Sequence, residues 1–168
     1  MSSASEIPLS ALRPMTPAEY AEWAERSVIG YAADKVASGQ WTAEESLELS
    51  RKENAALLPL GLETPGNHLF TVVDSQAVAV GMLWFAVKKK FGADIAYVFD
   101  VDIHPERQRE GHAARAFLAL EDEVRRLSLS GIALHVFGHN DAARALYARL
   151  GFRPTNISLF KPIEPARA

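Results

Sequence analysis

Three apolar, β-branched runs lie close together in the middle of the chain, at residues 68–74, 77–87 and 93–103. Short polar segments, 74–76 and 88–92, separate them and predict turns. Turns this short join antiparallel neighbours, whereas a parallel pair of strands needs a crossover of a dozen or more residues. The sequence therefore predicts a three-stranded antiparallel meander, and the rest of the fold has to be built on that sheet.

Helix signals precede the meander. Residues 16–19 form a capping-box sequence with proline at the first helical position, which predicts a helix broken near Gly39. Residues 42–45 repeat the capping-box pattern and predict a second helix that ends before Pro59. Residues 1–15 are typical of an arm or a first edge strand.

After the meander, strands and helices alternate. Residues 113–127 carry apolar side chains at three- and four-residue spacing and predict a helix with a buried stripe. A strand at 132–137, a helix at 142–150 and a last strand at 152–160 follow. This order predicts an α/β (α+β) fold, a mixed and mostly antiparallel sheet with helices on both faces, formed by residues 1–168 as a single domain.

Composition narrows the class of protein. The chain has 168 residues, 48% of them hydrophobic, and a net charge of −3, which gives no general electrostatic footprint for nucleic acid. Cysteine is absent, and no HxH or HExxH spacing suggests a metal. The longest apolar run, 77–87, is too short for a bilayer, which takes about 20 residues. We therefore expect a cytoplasmic protein with no membrane partner.

A polar loop at 108–113 joins the third strand to the next helix. The first turn of a helix presents unpaired backbone N–H groups and partial positive charge, a combination that binds anions. Gly111 lets the backbone approach a ligand closely, and Ala113 keeps the first turn thin. Three arginines flank the loop, namely Arg107, Arg109 and Arg115. The segment is either an ordinary connector or the binding site for a pyrophosphate-bearing cofactor.

Two segments resemble a known family. Gln108-Arg109-Glu110-Gly111-His112-Ala113 resembles the Q/R-x-x-G-x-G/A signature of the GNAT superfamily of acyl-CoA-dependent N-acyltransferases. Residues 137–152, FGHNDAARALYARLGF, resemble its second hallmark, and the resemblance is firmest over 68–160. The loop departs from the pattern at Arg107, where an aromatic residue is common, and at Glu110, where a basic residue is common.

The resemblance implies a fold and a cosubstrate. Acetyl-CoA is expected to bind where two central parallel strands splay apart. No metal is expected at the site. Ile103 would end the strand that contacts the pantetheine arm, and the loop would hold the pyrophosphate through Gln108, Arg109, Glu110, Gly111, His112 and Ala113. Asn140 would bind pantetheine, cap the following helix, or do both.

Tyr147 occupies the Leu-Tyr position of the second hallmark. The resemblance implies that its hydroxyl points at the CoA sulfur, and a phenol is a suitable proton donor to a leaving thiolate. The alternative is a helix tyrosine that only packs against the core.

The general base is less defined. Asp100 and Asp102 are two residues apart on a strand, so they share one face of the sheet and could bind a cationic amine or accept its proton. His135 stands where relatives that acetylate protein N-termini carry a glutamate base, and histidine changes charge near neutral pH. Each of the three could equally be an ordinary polar residue on a half-solvated strand.

The resulting hypothesis is an N-acetyltransferase that moves an acetyl group from acetyl-CoA to a primary amine by direct attack, acting as a monomer or homodimer. The favoured acceptor is a small molecule. The alternatives are a protein lysine or N-terminal acetyltransferase and a non-catalytic domain that senses acyl-CoA.

Overall fold

The structure, a computed structural model, describes residues 10–165. One compact unit ends at His135 and a second begins at Val136. The elements of the first unit are β1 (Ser10–Pro14), α1 (Pro17–Ala37), α2 (Ser46–Leu57), β2 (Asn67–Asp74), β3 (Ala79–Lys90), β4 (Ala93–Ile103), α3 (His112–Arg126) and β5 (Ile132–Leu134). The second unit contains α4 (Asp141–Arg149). The single-domain organisation expected from the sequence stays a prediction.

A five-stranded sheet in the order β1-β2-β3-β4-β5 organises the first unit. The first four strands are antiparallel neighbours, which confirms the predicted meander and places an edge strand before it. Residues 1–9 of the predicted arm lie outside the described residues. The β4–β5 pair is parallel, from Ala96↔Ile132 to Val98↔Leu134, and β4 continues past this pairing to Ile103. The mixed, mostly antiparallel sheet is therefore confirmed.

The β3–β4 hairpin is longer than predicted. Phe91 and Gly92 both have positive φ, 53° and 76°, as a two-residue type I′ turn requires. Because this turn is so tight, the ladder extends to Lys90↔Ala93, and the lysines at 88–90, predicted to lie in the turn, belong to β3.

The predicted capping box at the start of α1 is confirmed. Thr16 accepts from the Glu19 N–H at 3.3 Å, and Glu19 accepts from the Thr16 N–H at 2.9 Å. The Glu19 carboxylate also binds the Arg13 guanidinium at 2.6 and 2.9 Å and the Thr71 hydroxyl at 2.7 Å. One side chain thus joins α1 to β1 and β2.

Helices cover both faces of the sheet, as predicted. Trp23 of α1 packs edge-on against Trp84 of β3, with 5.6 Å between ring centroids. The next residue, Phe85, points to the opposite face, where its ring stacks on His68 at 4.7 Å. Helix α3 packs across β1, β2 and β4. The buried stripe of α3 consists of Ala116, Phe117, Leu120 and Val124.

The second helix begins later than its sequence pattern predicts. Glu45 does reach back to the Thr42 N–H, at 3.4 Å, but residues 43–45 form a turn and α2 starts at Ser46. The Ser46 hydroxyl donates to the Ala43 carbonyl at 3.1 Å. Local side-chain bonds of this kind stabilise a turn in competition with the helix.

The predicted last strand is wrong. In the described residues 151–165 no strand is formed, and Ile157, Leu159 and Phe160 are 76%, 90% and 89% exposed. Alternating apolar residues form a strand only where a neighbouring strand supplies the hydrogen bonds, and Pro154 has no N–H to contribute. The preceding strand, β5, is likewise shorter than the predicted 132–137.

Within residues 10–165, no helix combines the length and apolar character needed to cross a lipid bilayer.

Candidate functional site

The loop between β4 and α3 has the backbone geometry of an anion-binding turn. Its helix begins at His112, with Gly111 at the N-cap in the left-handed conformation, φ 82°. Arg109 also has a positive φ of 66°. The first backbone bond of the helix runs from the Arg115 N–H to the Gly111 carbonyl at 3.2 Å. The helix itself therefore provides no acceptor for the amides of its first turn, which are the groups that bind anions.

Two side chains, one from the loop and one from α3, donate hydrogen bonds to backbone carbonyls of this segment. Gln108 Nε2 donates to the carbonyl of Ile103, the last residue of β4, at 3.0 Å. Arg115 Nη2 donates to the carbonyl of Glu110. Ile103, Gln108 and Glu110, predicted as cofactor-binding residues, thus belong to one hydrogen-bonded segment.

A chain of polar and charged side chains runs through the same segment. Glu110 Oε2 lies 2.8 Å from His112 Nε2 and 3.2 Å from Arg107 Nε. Arg107 Nη2 in turn donates to Asp74 Oδ2 at 3.1 Å. The bonds from His112 and Arg107 lower the pKa of the Glu110 carboxyl. The two positions at which the loop departs from the family signature, Arg107 and Glu110, therefore contact each other.

The three arginines that flank the loop differ in their contacts. Arg107 is paired with two carboxylates, and Arg115 is bound to the loop backbone. Arg109 is exposed, in a strained backbone conformation. Part of the positive charge expected beside the loop is therefore neutralised by carboxylates or bound to backbone within the protein. Asp74, which binds Arg107, is 33 residues from it in the sequence, and no local pattern points to it.

Asp100 and Asp102 share one face of β4, as predicted. They pair with Trp84 and Met82, both of which belong to the core beneath α1. Asp100 Oδ2 accepts from Trp23 Nε1 at 3.1 Å, whereas Asp102 is exposed. Burial raises the pKa of the Asp100 carboxyl, and the negative charge of Asp102 acts in the same direction. Asp100 is thus a carboxyl group that holds its proton more tightly than an exposed aspartate does.

An aromatic surface adjoins Asp100 on this face. A register shift in the ladder leaves Phe99 as an extra residue in β4, and its ring stacks on Trp84 at 4.5 Å. Tyr97 packs edge-on against Phe99 at 5.1 Å. The ammonium of Lys88 lies 4.6 Å from the Phe99 ring centroid and 4.8 Å from that of Tyr97. These distances are typical of cation–π contacts, so this surface accepts a positive charge.

His135 directly follows β5 and is exposed. The last parallel pair is Val98↔Leu134. His135 is the next residue after Leu134, and Asp100 is the second residue after Val98. The register thus brings two of the predicted base candidates to the same end of the β4–β5 pair.

Asn140 and Tyr147 belong to the second unit. Asn140 Oδ1 accepts from the Ala143 N–H at 3.2 Å, which confirms the predicted cap of α4. Tyr147 is half-buried on α4, and its ring contacts Phe152 at 5.6 Å. The proposed contacts of both side chains with the cofactor stay predictions.

Across the described part of the chain, no group of three or more His, Asp or Glu side chains is arranged as a metal site.

Comparison with known proteins gives a consistent result. The sequence matches the model of the acetyltransferase (GNAT) family over residues 31–152. The N-acetyltransferases YycN and YdgE of Bacillus subtilis (strain 168) are 32% and 28% identical, each over 90% of this chain and 97% of the relative. The crystal structure of YycN from Bacillus subtilis superimposes with a TM-score of 0.85 at 31% identity, covering 93% of this chain and 99% of that one.

A more distant likeness concerns the fold alone. The structure of AAC(6')-Iy, in complex with the bisubstrate analogue CoA-S-monomethyl-acetylneamine, has a TM-score of 0.57 at 14% identity and covers 93% of this chain.

Proposed function

The chain belongs to the acetyltransferase (GNAT) family and is an N-acetyltransferase, and on that premise we propose that it transfers an acetyl group from acetyl-CoA to the primary amine of a small molecule. The observation that carries the donor assignment is the loop before α3, where Gly111 has a left-handed φ of 82° and the helix begins immediately after it. The CoA analogue bound to AAC(6')-Iy, which has the same fold, supports this assignment.

In this proposal the loop and the end of β4 bind the donor. The amides of Gln108, Arg109, Glu110, Gly111, His112 and Ala113 receive the pyrophosphate, and the end of β4 at Ile103 lies along the pantetheine arm. Acetyl-CoA supplies the activated acyl group as a thioester. The protein has to provide an unprotonated amine, a polarised carbonyl and a proton for the thiolate that leaves.

Asp100 is the proposed acceptor of the amine proton. Its carboxyl lies under α1 beside the Trp23 indole, and its raised pKa brings it closer to the range in which a carboxylate can take up a proton near neutral pH. The amine nitrogen attacks the thioester carbon, the C–S bond breaks, and Tyr147 gives its phenolic proton to the sulfur. Asp102 and His135 are the further candidates for the base, and Asn140 for the pantetheine contact.

The aromatic surface beside Asp100 supports a cationic acceptor. A side-chain ammonium, that of Lys88, already lies against Tyr97 and Phe99 within 5 Å of their centroids. A small amine would meet the same rings, with the carboxylates of Asp100 and Asp102 at one end. A protein lysine or a protein N-terminus is the alternative acceptor. The cytoplasmic location and the monomeric or homodimeric state stay predictions.

Turnover measurements separate these functions. We expect acetyl-CoA consumption with a panel of di- and polyamines and little with peptides that carry a lysine or a free N-terminus. Turnover with peptides alone would make the protein a protein acetyltransferase, and absence of turnover on both panels would contradict the proposed acceptor class.

Replacement of Gly111 tests the donor site. In Gly111→Val a Cβ would stand 2.8 Å from the Arg115 guanidinium, and a β-branched residue would be held at a left-handed φ. We expect acetyl-CoA binding, measured by calorimetry, to be lost. The control is Gly92→Val, which has the same backbone strain, φ 76°, at the distant β3–β4 turn. A folded Gly111→Val protein that binds acetyl-CoA as tightly as the wild type would contradict the assignment.

A further inference from the structure

We propose that Arg107 is a positioning residue for the donor site, holding the 108–113 loop in its binding shape by joining Glu110 to Asp74 at the end of β2. The inference rests on the proposed function, since it takes this loop to be the pyrophosphate site. It adds a residue outside the loop, Asp74, on which acetyl-CoA affinity depends.

The geometry of the Arg107 guanidinium carries the argument. Nε donates to Glu110 at 3.2 Å, and Nη2 donates to Asp74 at 3.1 Å. The Arg107 and Asp74 side chains are only 29% and 12% exposed, so water screens the contact less than at the surface. Since the two bonds use different nitrogens of one rigid planar group, arginine can span the two carboxylates in a way that the single ammonium of lysine cannot.

Asp74 is a fixed anchor. Its Oδ1 accepts from the N–H groups of Gln76 and Val78 at 2.9 and 3.0 Å, which closes the β2–β3 turn. Its Oδ2 is the atom that binds Arg107. The carboxylate therefore connects the loop to the β2–β3 turn through a side chain that is itself hydrogen-bonded to that turn.

On the loop side, Glu110 lies between two residues with left-handed backbone. Arg109 and Gly111 have φ of 66° and 82°, and a non-glycine residue in this region is strained. Such a conformation persists where the surroundings hold it. Here the Glu110 side chain is bound by Arg107 and by the buried His112, and its carbonyl by Arg115.

The same contacts direct the charge of Glu110. A carboxylate beside the first turn of α3 would repel a pyrophosphate if it turned toward it. Its bonds to Arg107 and His112 instead hold its Oε2 atom against these two side chains. Loss of Arg107 would therefore both loosen the loop and release a negative charge next to the donor site.

Two substitutions test the inference. Arg107→Met removes both bonds. Asp74→Asn is more selective, because the amide oxygen can still accept from Gln76 and Val78 while its NH₂ faces the guanidinium. For each variant we expect KM for acetyl-CoA to rise roughly 5- to 20-fold, which lies within the range of coupling between contacting residues, with kcat within about 2-fold of the wild type. The double variant should be no worse than Arg107→Met alone.

S-acetylpantetheine, which has no pyrophosphate, provides the readout that a purely structural defect would not give. The variants should use this donor as well as the wild type does, whereas general damage to the fold would lower activity with both donors. The matched control is Arg125→Met on α3, which removes an exposed arginine paired with Glu121 and Asp122. Its KM for acetyl-CoA should not change.

The outcomes separate the two levels of the proposal. An unchanged acetyl-CoA KM in Arg107→Met and Asp74→Asn, together with loss of binding in Gly111→Val, would overturn the role of Arg107 and leave the loop assignment standing. A wild-type enzyme that uses S-acetylpantetheine and acetyl-CoA equally well would overturn the pyrophosphate site itself. If Arg107→Met does not fold, Asp74→Asn and Glu110→Gln decide the question.

Discussion

The Asp100 carboxyl shows how the fold changes the chemistry of a single residue. It is held between a strand and a helix and bonded by the Trp23 indole N–H at 3.1 Å. Burial raises its pKa, and the indole bond opposes the rise only in part. An aspartate with a raised pKa is a better proton acceptor near neutral pH than an exposed one, and proximity to Asp102 contributes to this.

Asp100→Asn is expected to lower kcat/KM by roughly 100-fold or more, as loss of a general base does, and to remove the acidic limb of its pH profile. In the wild type that limb should lie above the ordinary aspartate range of about 3.9. Acceptors of different pKa have to be compared, because deprotonation of the amine also produces a rise with pH. If His135→Gln removes the limb and Asp100→Asn retains it, His135 is the base.

Asp100 should also make the stability of the fold depend on pH, and the direction of this dependence follows from its raised pKa. A carboxyl whose pKa is raised by folding binds its proton more tightly in the folded state, so the fold loses stability as pH rises through that pKa. Asp100→Asn keeps an acceptor for Trp23 and removes this dependence. We expect the variant to be at least as stable as the wild type at pH 7 by thermal unfolding, and a clear loss of stability would contradict the buried-carboxyl account.

Tyr147→Phe isolates the proposed proton donor. The change keeps the ring and its 5.6 Å contact with Phe152 and removes only the hydroxyl. We expect kcat to fall roughly 10- to 1000-fold, at or a little below the usual range for acid–base catalysis, with little change in acetyl-CoA affinity. Tyr31→Phe is the matched control, since its hydroxyl binds Glu53 on the exposed surface between α1 and α2. An unchanged kcat, with chemistry shown to be rate-limiting, would exclude the role.

At the scale of elements, the close approach of β3 and β4 depends on one glycine. A Cβ at Gly81 would stand 2.2 Å from the Asp102 carbonyl and 2.8 Å from Ile103 Cδ1. Gly81→Ala should therefore push away the end of β4, which carries both the Asp pair and the carbonyl that binds Gln108.

We expect Gly81→Ala to lower the free energy of unfolding by roughly 1–3 kcal/mol, the usual range for overpacking, and to raise KM for acetyl-CoA. The control substitution is expected to change stability in the opposite direction. A Cβ at Gly30, within α1, meets nothing within 4 Å, so Gly30→Ala should stabilise the protein by about 0.5–1 kcal/mol. Equal stability of the two variants in denaturant titrations would contradict this account.

The elements predicted correctly are those specified by their own residues. The capping box at Thr16 and the meander at 68–103 depend on contacts between sequence neighbours, and both are present. The predicted strand at 152–160 depended on a partner that its sequence does not specify. The start of α2 was wrong because Thr42 and Glu45 make the expected contact in a turn rather than in a helix.

The same distinction between local and remote contacts applies to the residues of the candidate site. The loop at 108–113 was found because a glycine before a helix is a local signal. The residues that hold it and tune it are remote: Asp74 is 33 positions from Arg107, and Trp23 is 77 from Asp100. Such pairs come together only when strands and helices assemble, so no spacing in the sequence indicates them.

At the scale of the whole molecule, Glu19 joins elements that are far apart in the sequence. Its carboxylate binds Arg13 of β1, the start of α1 and Thr71 of β2. The bond from Arg13, together with those from Thr16 and Thr71, lowers the pKa of this carboxyl strongly, against the opposing effect of burial. The protein should therefore depend on this ionised group for part of its stability.

Glu19→Gln is expected to lower the free energy of unfolding at pH 7 by about 1.5–3 kcal/mol, the range for hydrogen bonds to a charged group. The sign of the pH dependence follows from the lowered pKa. Stability contributed by Glu19 is complete above the unfolded-state pKa of about 4.3 and is lost as pH falls toward the folded-state value, because the unfolded chain takes up the proton first. Unfolding measured from pH 7 down to about pH 3 should thus show the wild type losing its advantage over Glu19→Gln in acid, while Glu22→Gln, at an exposed position of the same helix, follows the wild type throughout. A constant difference between wild type and Glu19→Gln across this range would mean that the carboxylate contributes by shape alone and that its charge does not hold β1, α1 and β2 together.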